Sequence, residues 1–208
     1  MNIITIVPAY NEEKTVADVI RVIKEIDLIS KLVVVSDGST DKTVNVAFSM
    51  GAEVIELKKN VGKGGAIKAA LDKYTGDIIL FLDADLIGLK REHVMDLLNP
   101  VINKDVDMSI GIFKKGRTVT DLAQKIAPYL SGQRAVRRSA LDSIPNIDIT
   151  RFGVEVAITR CFKKYNIKME TVELNELSHY MKEEKLGLIK GFTARMKMYW
   201  DIVKCLMI

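Results

Sequence analysis

The chain has 208 residues, 48% of them hydrophobic and 28% charged, with a formal net charge of +4; this fits one domain with a real core. The mild basic excess suits an anionic substrate, and the lack of a basic run interleaved with aromatics ahead of the C-terminus argues against nucleic acid. No apolar run approaches the roughly 20 residues that cross a bilayer.

The first half reads as strands and helices in alternation. Ile3–Val7 is an expected strand, and Glu12–Asp27 has helical spacing through Val16, Val19, Ile20, Ile23 and Ile26. Lys31–Val35 is a second strand with a helix over Thr40–Met50, and Glu53–Leu57 a third with a helix over Lys63–Tyr74. The fourth, Asp77–Leu82, carries an uninterrupted Ile78-Ile79-Leu80-Phe81-Leu82 run that suits the buried middle of a parallel sheet. A helix over Arg91–Val101 and a strand over Asp107–Phe113 follow. This repetition predicts an α/β fold, a mostly parallel central sheet with helices on both faces. The second half is less regular: a basic loop at Lys114–Thr118, helices at Asp121–Tyr129 and Thr150–Lys164, a strand at Lys168–Glu173 and a long helix at Leu186–Leu206. One domain is expected, a nucleotide half over 1–113 and an acceptor half over 114–208. Cys161 and Cys205 are isolated, and Met1-Asn2 leads straight into a strand with no signal core, so a cytoplasmic protein with reduced thiols is expected.

The polar segments cluster at the carboxyl ends of the four strands, where open α/β sheets bind ligands. Pro8-Ala9-Tyr10-Asn11-Glu12 follows the first, with Asn11 suited to cap the next helix. Ser36-Asp37-Gly38-Ser39-Thr40-Asp41 follows the second, and Asn60-Val61-Gly62-Lys63-Gly64-Gly65, a flexible loop with a phosphate-capable lysine, the third. Asp83-Ala84-Asp85 follows the fourth; alternate residues of an extended segment face one way, and two such carboxylates favour Mg²⁺ or Mn²⁺. Each segment alone is an ordinary turn or cap. The G-x-x-x-x-G-K-[ST] and G-x-G-x-x-G nucleotide motifs are both missing.

Taken together, Val7–Glu12, Asp37–Asp41, Asn60–Gly64 and Asp83–Asp85 resemble the successive motifs of family 2 glycosyltransferases with the GT-A fold, over roughly residues 3–113. The resemblance implies a nucleoside-diphosphate sugar donor and a divalent cation. It implies that Pro8, Ala9, Glu12 and Asp37 line the nucleoside pocket, with Lys63 near base or ribose, and that Asp83 and Asp85 hold ribose and metal-bound diphosphate. Many relatives carry two adjacent acids where this chain has Ser36-Asp37, which leaves the base open, with UDP favoured. A third metal ligand commonly comes from the second half of this fold; His179 is the candidate, its imidazole suiting Mn²⁺, while His93 early in a helix is read as structural.

In the acceptor half, Leu130–Arg138 is dense in polar groups. Gly132 can bring backbone amides to an anion, and Arg134, Arg137 or Arg138 can pair with phosphate or carboxylate; a solvated basic helix start is the plain alternative. Its Leu-Ser-Gly is similar to the acceptor loop of glucosyl-3-phosphoglycerate synthases. Glu155, in Phe152-Gly153-Val154-Glu155, is a candidate catalytic carboxylate, a base if the enzyme inverts and an orienting group if it retains. The expected activity is metal-dependent hexosyl transfer to an anionic acceptor such as a small phosphorylated acid. The alternatives are a polyprenyl-phosphate sugar transferase peripheral at the inner membrane face and a non-catalytic nucleotide-sugar-binding protein. The basic amphipathic C-terminal helix, with Trp200 and Tyr199, fits a membrane interface; packing on the sheet, or on a second copy in a homodimer, is favoured. A sugar-phosphate nucleotidyltransferase would need a glycine- and arginine-rich loop after the first strand, which Pro8–Glu12 does not supply.

Overall fold

Successive side chains of a strand point to opposite faces, so strands that are apolar at consecutive positions need a sheet buried on both sides. In β1 (Ile3–Ala9), Ile3 and Val7 face one layer of helices while Ile4 and Ile6 face the other. β4 (Ile78–Phe81) repeats the pattern, with Ile78 and Leu80 on the first side and Ile79 and Phe81 on the second. The structure is a computed structural model and describes residues 1–113, 131–143 and 154–179.

The remaining strands are β2 (Ile29–Ser36), β3 (Glu53–Glu56), β5 (Leu86–Ile87), β6 (Met108–Phe113), β7 (Arg134–Arg137), β8 (Met169–Leu174) and β9 (Ser178–His179). The helices are α1 (Val16–Lys24), α2 (Thr43–Ser49), α3 (Lys63–Lys73), α4 (Arg91–Asn103), α5 (Arg138–Asp142) and α6 (Val154–Lys164). Seven strands form the sheet in the order β3-β2-β1-β4-β7-β6-β8. The first four are mutually parallel; β7 runs antiparallel to both of its neighbours, and β6 and β8 are parallel to each other.

Each helix meets the sheet through a stripe. α1 buries Val16, Val19, Ile20 and Ile23, the i, i+3, i+4, i+7 set of one helical face. It shares its layer with α4, which buries Val94, Leu97, Leu98 and Val101. The opposite layer holds α3, through Ala66, Ile67 and Ala70, together with Leu141 of α5 and Ile158 and Phe162 of α6. His93 is buried and its Nδ1 accepts the Lys90 amide at 3.2 Å, a structural helix-start contact.

Two helices begin later than the periodicity predicts. α1 starts at Val16 because residues 11–13 are tied to the loop after β2 and the start of α2: the Glu12 amide donates to Thr43 Oγ1 (2.8 Å) and the Glu13 amide to Asp41 Oδ2 (3.1 Å). Asn11 does not cap α1. It sits at φ +56°, and its side-chain oxygen accepts the Thr40 amide at 2.8 Å, which also holds Thr40 out of α2. β5, β7 and β9 were not anticipated. β7 hides within a basic segment, and the other two have two residues each. The expected loop at Lys114–Thr118, the helix at Asp121–Tyr129 and the helix at Leu186–Leu206 lie outside the described residues. No helix among the described residues is long and apolar enough to cross a membrane.

Candidate active site

Parallel pairing puts the carboxyl ends of β1, β2, β3 and β4 along one edge, and the polar segments gather there. Ala9 pairs with Ser36, Ser36 with Glu56, and Ile6 with Phe81. Pro8 and the buried Ala9 end β1, Tyr10 beyond them is about half exposed, and Glu12 accepts the Thr15 hydroxyl at its Oε2 (3.3 Å). Asp37 is the clamp of this edge. Its amide donates to the Ala9 carbonyl (2.8 Å), and its carboxylate accepts the amides of Val61 (2.7 Å) and Gly62 (2.9 Å). Both carboxylate oxygens are thus engaged in shaping the 60–62 loop. Gly38, at φ +70°, permits the approach: a Cβ there would sit 2.6 Å from the Asn60 nitrogen.

That loop delivers Lys63 at the first position of α3. Its ammonium lies 2.5 Å from Asp83 Oδ1 and 2.5 Å from Glu155 Oε1, joining the two halves of the chain. Burial pulls the lysine pKa down, but the two carboxylates outweigh it and hold the ammonium well above the ordinary lysine range. Gly132 closes the same space, since a Cβ there would collide with the Lys63 ammonium and stand 2.5 Å from Asp83 Oδ2. Gln133, fully buried, donates from Nε2 to that same Oδ2 at 2.9 Å. Neither periodicity nor a charge pattern marks this glutamine in the sequence.

The arginines correct the sequence reading. Arg134 is 1% exposed, so it cannot reach out to an acceptor; its Nε donates to the Ser131 carbonyl (2.8 Å) and a terminal nitrogen to Thr159 Oγ1 (2.8 Å). Burial lowers its pKa to about 10, with Glu155 and Asp83 opposing the shift, so it is a cation behind the site at neutral pH. Arg137 lies at the wrong end of the sheet. Along antiparallel β7, Arg134 pairs with Phe81 and Arg137 with Ile78, the opposite end of β4. Its guanidinium donates to the Val101 and Val106 carbonyls and so caps the end of α4. Arg138 is equally remote, its Nε bonded to Asp142 at 2.8 Å.

After Asp83 the chain turns through Ala84 and Asp85 into β5, rather than continuing extended. Asp85 is half-buried in this turn. β5 pairs antiparallel with β9, and Leu86 is opposite His179. The backbone of His179 therefore lies beside Leu86, the residue that follows Asp85, although the two are far apart in sequence. No group of three metal-ligand side chains is gathered among the described residues. A carboxylate in a half-buried turn beside a ligand-binding sheet edge nevertheless fits a hard cation that takes its other oxygens from a diphosphate.

The model of glycosyl transferase family 2 matches residues 4–162. Glucosyl-3-phosphoglycerate synthase of Mycolicibacterium smegmatis is 31% identical over 187 residues, 74% of this chain and 61% of that protein. The Mycobacterium tuberculosis protein of that name is 29% identical over 190 residues, 74% of this chain and 58% of its own length. The chain thus spans about three-fifths of the length of these relatives. Among solved structures, the M. tuberculosis synthase with Mn²⁺ and UDP-glucose superposes with a TM-score of 0.79 at 26% identity, over 99% of this chain and 77% of that one. Its complex with Mn²⁺, UDP and glucosyl-3-phosphoglycerate gives 0.74 at 28% identity, over 89% of this chain and 75% of that one.

Proposed function

The chain belongs to glycosyl transferase family 2, and from that premise we propose that it transfers a hexose from UDP-glucose or a close analogue to a small phosphorylated acid, with Mn²⁺ or Mg²⁺. The observation that carries this reading is the meeting of Lys63, Asp83 and Glu155 at the sheet edge beside Asp85. Solved relatives add support: the M. tuberculosis synthase was crystallised with Mn²⁺, UDP-glucose and phosphoglyceric acid.

In this reading Pro8, Ala9 and Glu12 line the nucleoside pocket, and Asp37 shapes it by holding the 60–62 loop. Asp83 accepts from the ribose, and Asp85 with His179 holds the cation. The bound cation neutralises charge on the departing diphosphate. Lys63 bonds both Asp83 and Glu155 and so holds the two carboxylates close together, and Glu155 faces the sugar and the acceptor from the second half. Gly132 keeps the space between them clear. A phosphorylated acid, rather than a polyprenyl phosphate, is the acceptor class that the solved relatives favour, since their complexes hold phosphoglyceric acid or glycerol 3-phosphate.

Calorimetric titration of UDP, GDP, CDP and ADP, with and without Mn²⁺, tests the donor assignment on wild type and Asp85→Ala. Tight UDP binding that needs both Mn²⁺ and Asp85 is the expected result; no binding of any nucleotide sinks the assignment. Turnover of UDP-glucose with 3-phosphoglycerate then separates an enzyme from a non-catalytic nucleotide-sugar-binding protein.

A further inference from the structure

Asp83 is gripped from both halves of the chain. Lys63, from the donor half, takes Oδ1. Oδ2 is taken by a neutral group from the second half, the side-chain amide of Gln133. A carboxylate oxygen only accepts, so the group facing it at 2.9 Å is the amide nitrogen, and this assigns the orientation of the glutamine. The rest of Gln133 is fixed as well. Its Oε1 lies 3.0 Å from the Ser131 hydroxyl, its backbone amide donates to Ser131 Oγ at 3.2 Å, and its backbone carbonyl accepts the Gly111 amide at 2.9 Å. The Ser131 hydroxyl in turn lies against the Gly111 carbonyl of β6. With its side-chain nitrogen bonded to Asp83 and its backbone amide and carbonyl both bonded, this fully buried glutamine is held in place, since leaving a buried polar group unmet is costly.

We propose that Gln133 is a positioning residue for the donor site: with Ser131 behind it, its amide fixes the rotation of the Asp83 carboxylate and so presents that carboxylate to the nucleotide sugar. This rests on the reading above that Asp83 faces the donor. Gln133 supplies what Lys63 cannot. A single cation on Oδ1 leaves the carboxylate able to swing about it, and a second donor on Oδ2 stops the swing without adding charge. The grip also links the halves, because a shift of residues 131–133 toward or away from a bound acceptor moves Asp83 with them.

The test is the Kd of UDP with Mn²⁺, measured by calorimetry on the full chain, beside the Kd of 3-phosphoglycerate and the thermal melting point. Gln133→Met keeps the length and loses the amide; it is expected to weaken UDP about tenfold, the scale of a hydrogen bond to a charged group, and to leave 3-phosphoglycerate within twofold. Gln133→Glu has nearly the same shape but sets a carboxylate against Asp83, and is expected to weaken UDP more than Gln133→Met does. Unchanged UDP affinity in Gln133→Met, or equal weakening of both ligands, overturns the proposal, because damage to packing alone would not select the donor. Ser131→Ala, which only loosens the glutamine, is expected to weaken UDP about threefold and decides the matter if the Gln133 variants do not fold; unchanged affinity there overturns the proposal. A wild type that binds no UDP instead removes the donor assignment on which all of this rests.

Discussion

The two ends of β7 lie three residues apart and do opposite work. At its start, Arg134 is buried behind the Asp83–Lys63–Glu155 group; just ahead of it Gln133 bonds Asp83, and Gly132 stands where a side chain would collide with Asp83. At its end, Arg137 caps carbonyls of α4 at the far edge of the sheet. The parallel strands bring ligand groups in at their carboxyl ends, whereas β7, running the other way, brings them in at its amino end. Strand direction, more than residue type, decides which arginine has a bearing on the site.

That contrast can be broken by substitution. The largest effect is expected from Lys63→Met, which leaves the carboxylates of Asp83 and Glu155 facing each other without the ammonium that bonds both. Turnover should fall about a thousandfold, on the scale of losing a fixed charge at a reacting centre, as steady-state kinetics would record; a loss below tenfold would take Lys63 out of the site. Arg134→Met removes a buried cation from behind the same carboxylates. Denaturant unfolding should show a loss of about 3 kcal/mol, as when one partner of a buried charge group is removed, together with weaker UDP binding. Asp37→Asn replaces one acceptor of two backbone amides with a donor and should cost about 1–2 kcal/mol, with loosening of the 60–62 loop seen as faster amide exchange at Val61 and Gly62. The smallest effect belongs to Arg137→Ala: a stability loss of about 1 kcal/mol with UDP affinity unchanged in calorimetry. Should Arg137→Ala weaken UDP as much as Arg134→Met, the distinction between the two ends of β7 is lost.

The donor half was open to reading because its information is local. Each strand is followed within a few residues by its own ligand loop, so Asp37, Lys63, Asp83 and Asp85 could be assigned to one edge once a parallel sheet was inferred. The roles were less legible than the places. Asp37 is expected to line the nucleoside pocket, and in the fold both its oxygens hold backbone amides of the 60–62 loop. Asn11 looks like a helix cap and instead binds the loop after β2. In the acceptor half, the basic character of Leu130–Arg138 pointed to an anion site, because a charged residue in a four-residue strand carries no periodic sign of being buried.

Uninterrupted apolar strands alternating with amphipathic helices by themselves determined the sheet, its two helical layers and the edge at which ligands meet it, since periodicity states which face each side chain takes. The family motifs are equally local. Only the tertiary structure decided that β7 is inserted antiparallel between β4 and β6, that Arg134 is buried while Arg137 is not at the site, and that Lys63 stands between Asp83 and Glu155. Periodicity is silent on which strands become neighbours and in which direction they run. Contacts such as Gln133 with Asp83, or His179 beside Leu86, exist only after the chain has closed loops of tens of residues and packed its two halves together.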